Sequence, residues 1–145
     1  MAISFNSENI TFDLKQKIRH KQWIRTYVKF QQQLPGDLNF IFTSNERLRL
    51  MNREYLNHNY FTDVITFDYT DDNITSGDIF ISMDQVKKNA KFYAVEDDEE
   101  LRRVMIHGVL HLLGFKDDSS DEKETMREKE NEALHLWLKL AENDF

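Results

Sequence analysis

The sequence predicts a single α+β domain in which a mixed sheet of about four strands is packed by about five helices. Apolar residues recur at helical spacing in some segments and at alternate positions in others, and these segments follow the order strand, helix, strand, helix, hairpin and helices. With 145 residues, of which 40% are hydrophobic, the chain is long enough to bury a core as one metal-dependent hydrolase domain spanning 1–145.

The elements of the first half are predicted from apolar spacing and from turn residues. Pro35 and Gly36, within Leu34–Asp37, predict a break after the first helix. Thr43 and Glu46 have the capping-box spacing that begins a helix. The predicted elements are a strand over 2–6, a helix from 11 or 13 to about 33, a strand over 38–43, a helix to about 55, and a loop over 57–60.

The second half begins with a hairpin and continues with helices. Strands are predicted over 64–69 and 78–82, and their short connection favours an antiparallel pair. Capping-box spacing begins three helices, at Ser82 with Gln85, at Asp97 with Glu100, and at Ser119 with Glu122. The second of these helices runs to about 113 and has a buried apolar side, so it is predicted to be central. The charged run before Ala133 in the last helix predicts a solvated face.

A metal-binding pattern lies at the end of the central helix, where residues 107–118 read His-Gly-Val-Leu-His-Leu-Leu-Gly-Phe-Lys-Asp-Asp. His107 and His111 are four residues apart and therefore share one helix face. Gly114 can adopt the left-handed conformation that ends a helix, and the turn would bring Asp117 back to the histidines. This is the layout of the metzincin zinc site, in which three protein ligands leave a position for water. The sequence therefore predicts that His107, His111 and Asp117 bind one metal ion.

Two alternatives remain open at this motif. Asp118 is a rival third ligand, and Gly114 and Asp117 could serve only as a helix stop and as a cap for the next helix. A metalloprotease of this layout carries a glutamate general base directly after the first histidine, where this chain has Gly108. Glycine within a helix costs about 1 kcal/mol relative to alanine, so we expect something to require it, and one physical use is close approach of a backbone or a bulky substrate to the metal face.

The composition restricts the partners and the compartment. The net charge is −7, but residues 1–60 hold nine basic and five acidic side chains, whereas 61–145 hold ten and twenty-one. A basic face on the first half could therefore meet RNA, although phosphate contacts need lysine and arginine. The sequence has no cysteine and no apolar run near the ~20 residues that span a bilayer. We expect a soluble, cytoplasmic protein without disulfide-linked partners.

The motif resembles the His-Gly-x-Leu-His-Leu-x-Gly-Tyr-Asp-His signature of the YbeY-type endoribonucleases, bacterial rRNA maturation factors that bind zinc. Lys116 and Asp117 stand where the family has Asp-His, so an aspartate replaces the third histidine. Zinc accepts a carboxylate oxygen at a similar distance. The residues that match the signature directly are His107, Gly108, Leu110, His111, Leu112 and Gly114, with Phe115 in place of the tyrosine.

The resemblance extends over about Thr43 to Asp117 through three further blocks. An arginine that the family is thought to use in catalysis is Leu56 here, so its role does not carry over and the catalytic residues are not identified. The matching blocks are Met51-Asn52-Arg53-Glu54-Tyr55, Thr62-Asp63-Val64-Ile65-Thr66-Phe67 and Gly77-Asp78-Ile79.

The resemblance implies a zinc-dependent endoribonuclease, specific for single strands, that acts in 16S rRNA 3′ end processing and ribosome quality control. It further implies one zinc ion per chain, with rRNA and the ribosome as partners. Arg47, Arg49 and Arg53 are the best candidates for RNA contact, because they cluster in one predicted helix with family-like neighbours. The alternatives are a metalloprotease or amide hydrolase, and a non-enzymatic ribosome-associated factor with a structural metal.

Alanine substitutions test the predicted ligand set. Replacing His107, His111 or Asp117 should remove the bound divalent metal, because each residue supplies one of only three protein ligands. Elemental analysis of the purified variants measures the metal content. The matched control, Asp118→Ala, should keep the wild-type ratio of metal to protein. Metal retained in Asp117→Ala but lost in Asp118→Ala would make Asp118 the third ligand.

Overall fold

A computed structural model of the chain describes residues 2–55 and 62–142. Within these ranges it confirms the α+β class, with a four-stranded mixed sheet and five helices. The predicted loop over 57–60 lies outside the described residues. The elements are β1 Ile3–Ser7, α1 Lys17–Phe30, β2 Leu34–Thr43, α2 Asn45–Tyr55, β3 Val64–Asp68, β4 Ile74–Ser82, α3 Met83–Tyr93, α4 Asp97–Leu112 and α5 Ser120–Glu142.

The sheet has the strand order β1-β2-β4-β3. β2 pairs in parallel with β1 and with β4, whereas β3 pairs antiparallel with β4, as the hairpin prediction required. β4 follows β3 after a short connection, and this proximity in sequence favours antiparallel pairing. Among the described strands, β3 therefore lies at one edge of the sheet.

The core lies mainly between one face of the sheet and a helical layer. α4 packs on β3 and β4, α1 packs on β2, and α5 packs across α4 and α1. Because side chains alternate along a strand, Ile79 and Ile81 join this core, whereas Phe80 packs with the smaller cluster on the other face. That cluster holds Leu48 and Met51 of α2. Within the described residues, no helix has the length and apolarity needed to cross a membrane.

Several boundaries in the first half differ from the prediction, among them the end of α1, which lies at Phe30 rather than at about 33. α1 begins only at Lys17, and residues 11–14 precede it as irregular chain. The predicted break at Leu34–Asp37 is wrong, because β2 begins at Leu34 and its first two residues pair with β4. The sheet tolerates Pro35 here because the β2 to β4 register shifts between Pro35 and Leu38, and pairing with β1 begins only at Leu38.

Two predicted helix caps are also wrong. The residue that caps α2 is Ser44, whose Oγ accepts a hydrogen bond from the Arg47 N–H at 3.2 Å, so Thr43 lies one residue too early. α4 begins at Asp97, but its N-cap is Glu96, which makes no side-chain capping bond. Asp97 instead lies in an acidic first turn, where negative charge stabilises the positive end of the helix dipole.

The other two predicted caps are confirmed. The Oγ of Ser82 accepts from the Gln85 N–H at 3.1 Å at the start of α3. At the start of α5, the Ser119 Oγ accepts from the Glu122 N–H at 3.1 Å, and the Glu122 carboxylate accepts from the Ser119 N–H at 2.9 Å. This reciprocal pair is a complete capping box.

His20 of α1 is buried as a neutral ring in the core. It is 3% exposed, and its ring lies 4.6 Å from the ring of Trp137, between centroids. Nδ1 donates to the Gln16 carbonyl oxygen at 2.9 Å, whereas Nε2 is buried with no hydrogen-bond partner among the described residues. Burial lowers the pKa of His20 to about 4, because the core solvates the charged ring poorly.

The folded protein should lose stability between pH ~6.5 and pH ~4 through His20. The unfolded chain protonates this residue near its ordinary pKa of about 6.5, whereas the folded chain resists protonation until about pH 4. The free energy of unfolding should therefore fall as pH falls through this window, and less steeply in His20→Phe. Urea unfolding at several pH values measures this slope. The control His135→Phe changes an exposed histidine and should follow the wild type, whereas an equal slope in His20→Phe would contradict the assignment.

Candidate metal centre

α4 ends in a turn that directs the chain back toward its last histidine. Gly114 has φ +102°, a conformation that residues with a Cβ rarely adopt. The Phe115 N–H donates to the Leu110 carbonyl and the Gly114 N–H donates to the His111 carbonyl, both at 3.0 Å. These two bonds form a Schellman motif, which satisfies carbonyls at the helix end. The turn brings Asp117 beside the helix that it has just left.

The structure brings the three predicted ligands together. The Nε2 atoms of His107 and His111 are 3.0 Å apart, and Oδ2 of Asp117 lies 3.2 Å from the first and 3.5 Å from the second. Two ligands that bind tetrahedral zinc at about 2.0–2.1 Å are separated by about 3.4 Å, so the group could hold such an ion. Asp118 is exposed and does not belong to this group.

Hydrogen-bond partners on the far side of each ring determine which nitrogen faces the cluster without a proton. Nδ1 of His111 lies 3.1 Å from the Phe115 carbonyl oxygen, which can only accept, so Nδ1 carries the proton. Nδ1 of His107 lies 2.6 Å from the Glu130 carboxylate and donates to it in the same way. When both rings are neutral, both Nε2 atoms therefore present lone pairs toward each other and toward the Asp117 carboxylate. In that state one metal ion between the three atoms would satisfy all of them, so the group could serve as a metal site.

The Glu130 carboxylate is buried and paired on both of its oxygens. It is 5% exposed, and Nη1 of Arg103 lies 2.8 Å from Oε1. Burial would raise the pKa of Glu130, but hydrogen bonds from His107 and Arg103 outweigh it and hold that pKa below its usual value. Burial likewise lowers the pKa of His107, but the bond to Glu130 and nearby carboxylates raise it overall. The pKa of His111 is lowered by burial and by the charge of His107.

An open cleft of about 370 Å³ lies beside the three ligand side chains. It is lined by Asn52 of α2 and by residues 62–66, which lead into and form the start of β3. Asp63 lies in this lining, and burial raises the pKa of its carboxyl group. The Asn89 amide lies 3.4 Å from both the Asp63 and the Glu100 carboxylates. An open position at the ligands is typical of catalytic sites rather than structural ones.

The need for glycine at position 108 comes from close packing of α4 against the sheet and not from the cleft. A Cβ at this position would lie 2.7 Å from Cγ2 of Ile79 on β4 and 3.4 Å from Cγ2 of Val64 on β3. The expectation of a backbone or a bulky substrate at the metal face is therefore wrong, because the close neighbours are side chains of the sheet. A glutamate here would point into the core, so the general base of a metalloprotease has no place at this position.

Sequence reasoning missed Glu130 and its partner Arg103. The charged run in α5 predicted a solvated face, and at Glu130 this prediction is wrong. One signal was present, because Glu130 lies four residues after Met126 and three before Ala133, on the apolar side of the helix. A carboxylate on a buried stripe needs a partner, and here the partners are Arg103 and His107.

The three arginines predicted to contact RNA lie on α2, which borders the cleft through the buried Asn52. Arg47 pairs with Glu8 at 3.0 Å and Arg49 pairs with Glu46 at 3.3 Å. Arg53 is exposed near the end of the helix. Leu56, which replaces the family's arginine, lies outside the described residues.

The fold and the site define an α+β protein that carries a His-His-Asp group at the end of a sheet-packed helix, open to a cleft. Residues 2–137 match the family described as Endoribonuclease YbeY. The chain belongs to this family, whose name denotes a nuclease and therefore a hydrolase.

Known relatives agree with this assignment. A Parabacteroides distasonis protein named Endoribonuclease YbeY is 44% identical over 136 residues, covering 94% of this chain and 96% of the relative. A Christiangramia forsetii protein of the same name is 44% identical over 135 residues, covering 93% and 94%. A solution structure of a Thermotoga maritima protein has a TM-score of 0.66 at 26% identity, covering 98% of this chain and 93% of that one. None of these names supports the metalloprotease alternative.

Gly108→Ala should destabilise the fold. Overpacking a core typically costs about 1–3 kcal/mol, and this should exceed the gain of about 1 kcal/mol in helix propensity. Urea unfolding of the metal-free protein measures the change. In an Ile79→Ala background, which removes the nearest methyl group, the same substitution should cost less. An equal cost in both backgrounds would show that the contact with Ile79 is not the reason for the glycine.

Proposed function

We propose that this protein is a zinc-dependent endoribonuclease that cleaves single-stranded RNA in the cytoplasm, in 16S rRNA 3′ end processing and in ribosome quality control. Family membership supports endoribonuclease chemistry. The observation that carries metal dependence is the convergence of two Nε2 atoms and a carboxylate oxygen on one point, beside an open cleft. The rRNA substrate is proposed from the family resemblance of the motif.

His107, His111 and Asp117 would hold one zinc ion per chain. A bound zinc ion would act as a Lewis acid toward a phosphoryl oxygen and lower the pKa of a coordinated water toward about 7. The chain supplies the orientation: the Phe115 carbonyl fixes the His111 ring, and the Glu130 carboxylate fixes the His107 ring. Asp117 adds a negative charge that a third histidine would lack, so the ligand set offsets more of the ion's charge.

We propose that RNA lies across the cleft between β3 and α2. Asn52 of α2 and Thr66 of β3 both line this cleft, together with the three ligand residues. Arg53 follows Asn52 directly and is exposed, so it is the best placed of the three candidate arginines to meet a phosphate. Arg47 and Arg49 already pair with carboxylates of the protein, and a phosphate would have to compete with those partners.

The open cleft also bears on the non-enzymatic alternative, a ribosome-associated factor with a structural metal. Structural zinc sites are closed, with four protein ligands. Among the described residues this group supplies three ligands and borders a cleft of about 370 Å³. An enzyme therefore accounts for the arrangement better than a structural metal does.

A cleavage assay tests the proposal. The purified protein should cut a single-stranded RNA oligonucleotide but not the same sequence in a duplex, and a chelator should abolish cleavage until zinc is restored. His111→Ala should lower the cleavage rate by more than about 100-fold, because outer-shell partners of metal ligands alone are worth about 10–100-fold. His135→Ala, which changes an exposed histidine of α5, should cleave like the wild type. Full cleavage after metal removal, or none of either RNA, would overturn the proposal.

A further inference from the structure

Glu130 links the last helix of the described chain to the candidate metal centre. Glu130 lies on α5 and is 5% exposed, and its carboxylate contacts two residues of α4. Oε1 accepts from Nη1 of Arg103 at 2.8 Å, and Oε2 accepts from Nδ1 of His107 at 2.6 Å. An ionised carboxylate is costly to bury unless its oxygens are satisfied, and both of these are. The carboxylate thus contacts a proposed metal ligand without belonging to the ligand set.

We infer that Glu130 is a positioning residue for His107: it keeps the proton of that ring on Nδ1 and thereby directs the Nε2 lone pair toward His111 and Asp117. The inference rests on the proposed metal-dependent function. In this arrangement Glu130 raises the affinity of the site for metal, because the ring is oriented in the binding form before the ion arrives.

The two oxygens of Glu130 have different partners, and this division argues for a role beyond an ion pair. Arg103 holds Oε1, and its Nη2 is itself fixed at 2.8 Å from Oδ1 of Asn131. With Oε1 held, the other oxygen faces His107. The guanidinium group therefore sets the direction of the carboxylate, and the carboxylate sets the direction of the ring.

Glutamine has the same shape as glutamate but cannot serve both partners. Its amide has one acceptor oxygen and one NH₂ donor, whereas Arg103 and Nδ1–H of His107 are both donors. If the amide oxygen faces Arg103, then the NH₂ group faces Nδ1 and favours a ring that carries its proton on Nε2. That proton would occupy the position where His107 binds metal. Glu130→Gln therefore separates positioning from packing at nearly constant volume.

His111 provides the internal comparison. Its Nδ1 donates to the backbone carbonyl of Phe115, within the turn that ends α4. Among the described residues the partner of this nitrogen is a backbone atom, so a substitution at Glu130 should leave the tautomer of His111 as it is. The effect should be confined to one of the two imidazoles.

The first measurement is zinc affinity of the full chain, by competition with a chromophoric chelator. Glu130→Gln should bind zinc about 10–100-fold more weakly than the wild type, the range found for outer-shell partners of metal ligands. The matched control is Glu128→Gln, the same substitution on an exposed position of α5, and it should bind like the wild type. Thermal unfolding in chelator reports any loss of stability separately.

The second measurement is the tautomer of His107 in the metal-free protein, read from the ¹⁵N chemical shifts of its ring at a pH where it is neutral. The wild type should carry the proton on Nδ1, and Glu130→Gln should carry it on Nε2. A merely structural role would lower thermal stability while leaving both the tautomer and the zinc affinity unchanged.

The outcomes separate this inference from the proposed function. Unchanged affinity and tautomer in Glu130→Gln would overturn the positioning role, while zinc binding by the wild type would still support the metal site. A wild-type protein that binds no zinc would overturn both. If Glu130→Gln does not fold without metal, Glu130→Asp keeps the charge but is one methylene too short to reach Nδ1. Glu130→Asp should then bind zinc more weakly, and wild-type affinity in that variant would overturn the inference.

Discussion

The contact between α4 and β4 is the interaction on which the candidate site depends. Gly108 lets the helix lie so close to Ile79 that an added Cβ would have to displace it. The neighbouring Ile106 and Val109 are fully buried, so this helix cannot shift without opening the core. His107 lies between these two residues in the helix. The packing that stabilises the domain therefore also fixes the position of the His107 backbone, from which its ring extends. The site thus draws its rigidity from the core rather than from the turn that completes it.

The parts of the fold that the sequence predicted are those in which the signal is local. The hairpin pairing, the five helices and the caps at Ser82 and Ser119 depend on residues within a few positions of one another. Two of the errors, at Pro35 and Thr43, arose where a distant partner overrode a local signal. Pro35 is typical of a break, but pairing of its segment with β4 extends the strand through it. Thr43 fits a cap, but its hydroxyl donates to the Glu8 carbonyl and Ser44 caps the helix.

The site likewise contains residues that local spacing predicts and one that it does not. His107, His111 and Asp117 lie within one helix and its closing turn, so their spacing alone was enough to propose that they meet. Glu130 is separated from His107 by 23 positions and reaches it only because α5 packs on α4. Spacing within one helix cannot indicate a contact of this kind. The local signal for Glu130 was its place on the apolar side of a charged helix, and the neighbouring charged residues made that signal hard to recognise.

The position of Glu130 along the chain also bears on when, during synthesis, the site can bind metal tightly. A nascent chain that has been made as far as Asp117 contains all three proposed ligands but lacks the carboxylate that orients His107. If Glu130 positions that ring, the site can bind metal tightly only after α5 has been made and has packed on α4. An incomplete domain would then hold its ion weakly and exchange it readily. Tight metal loading would then depend on the packing of α5 against α4.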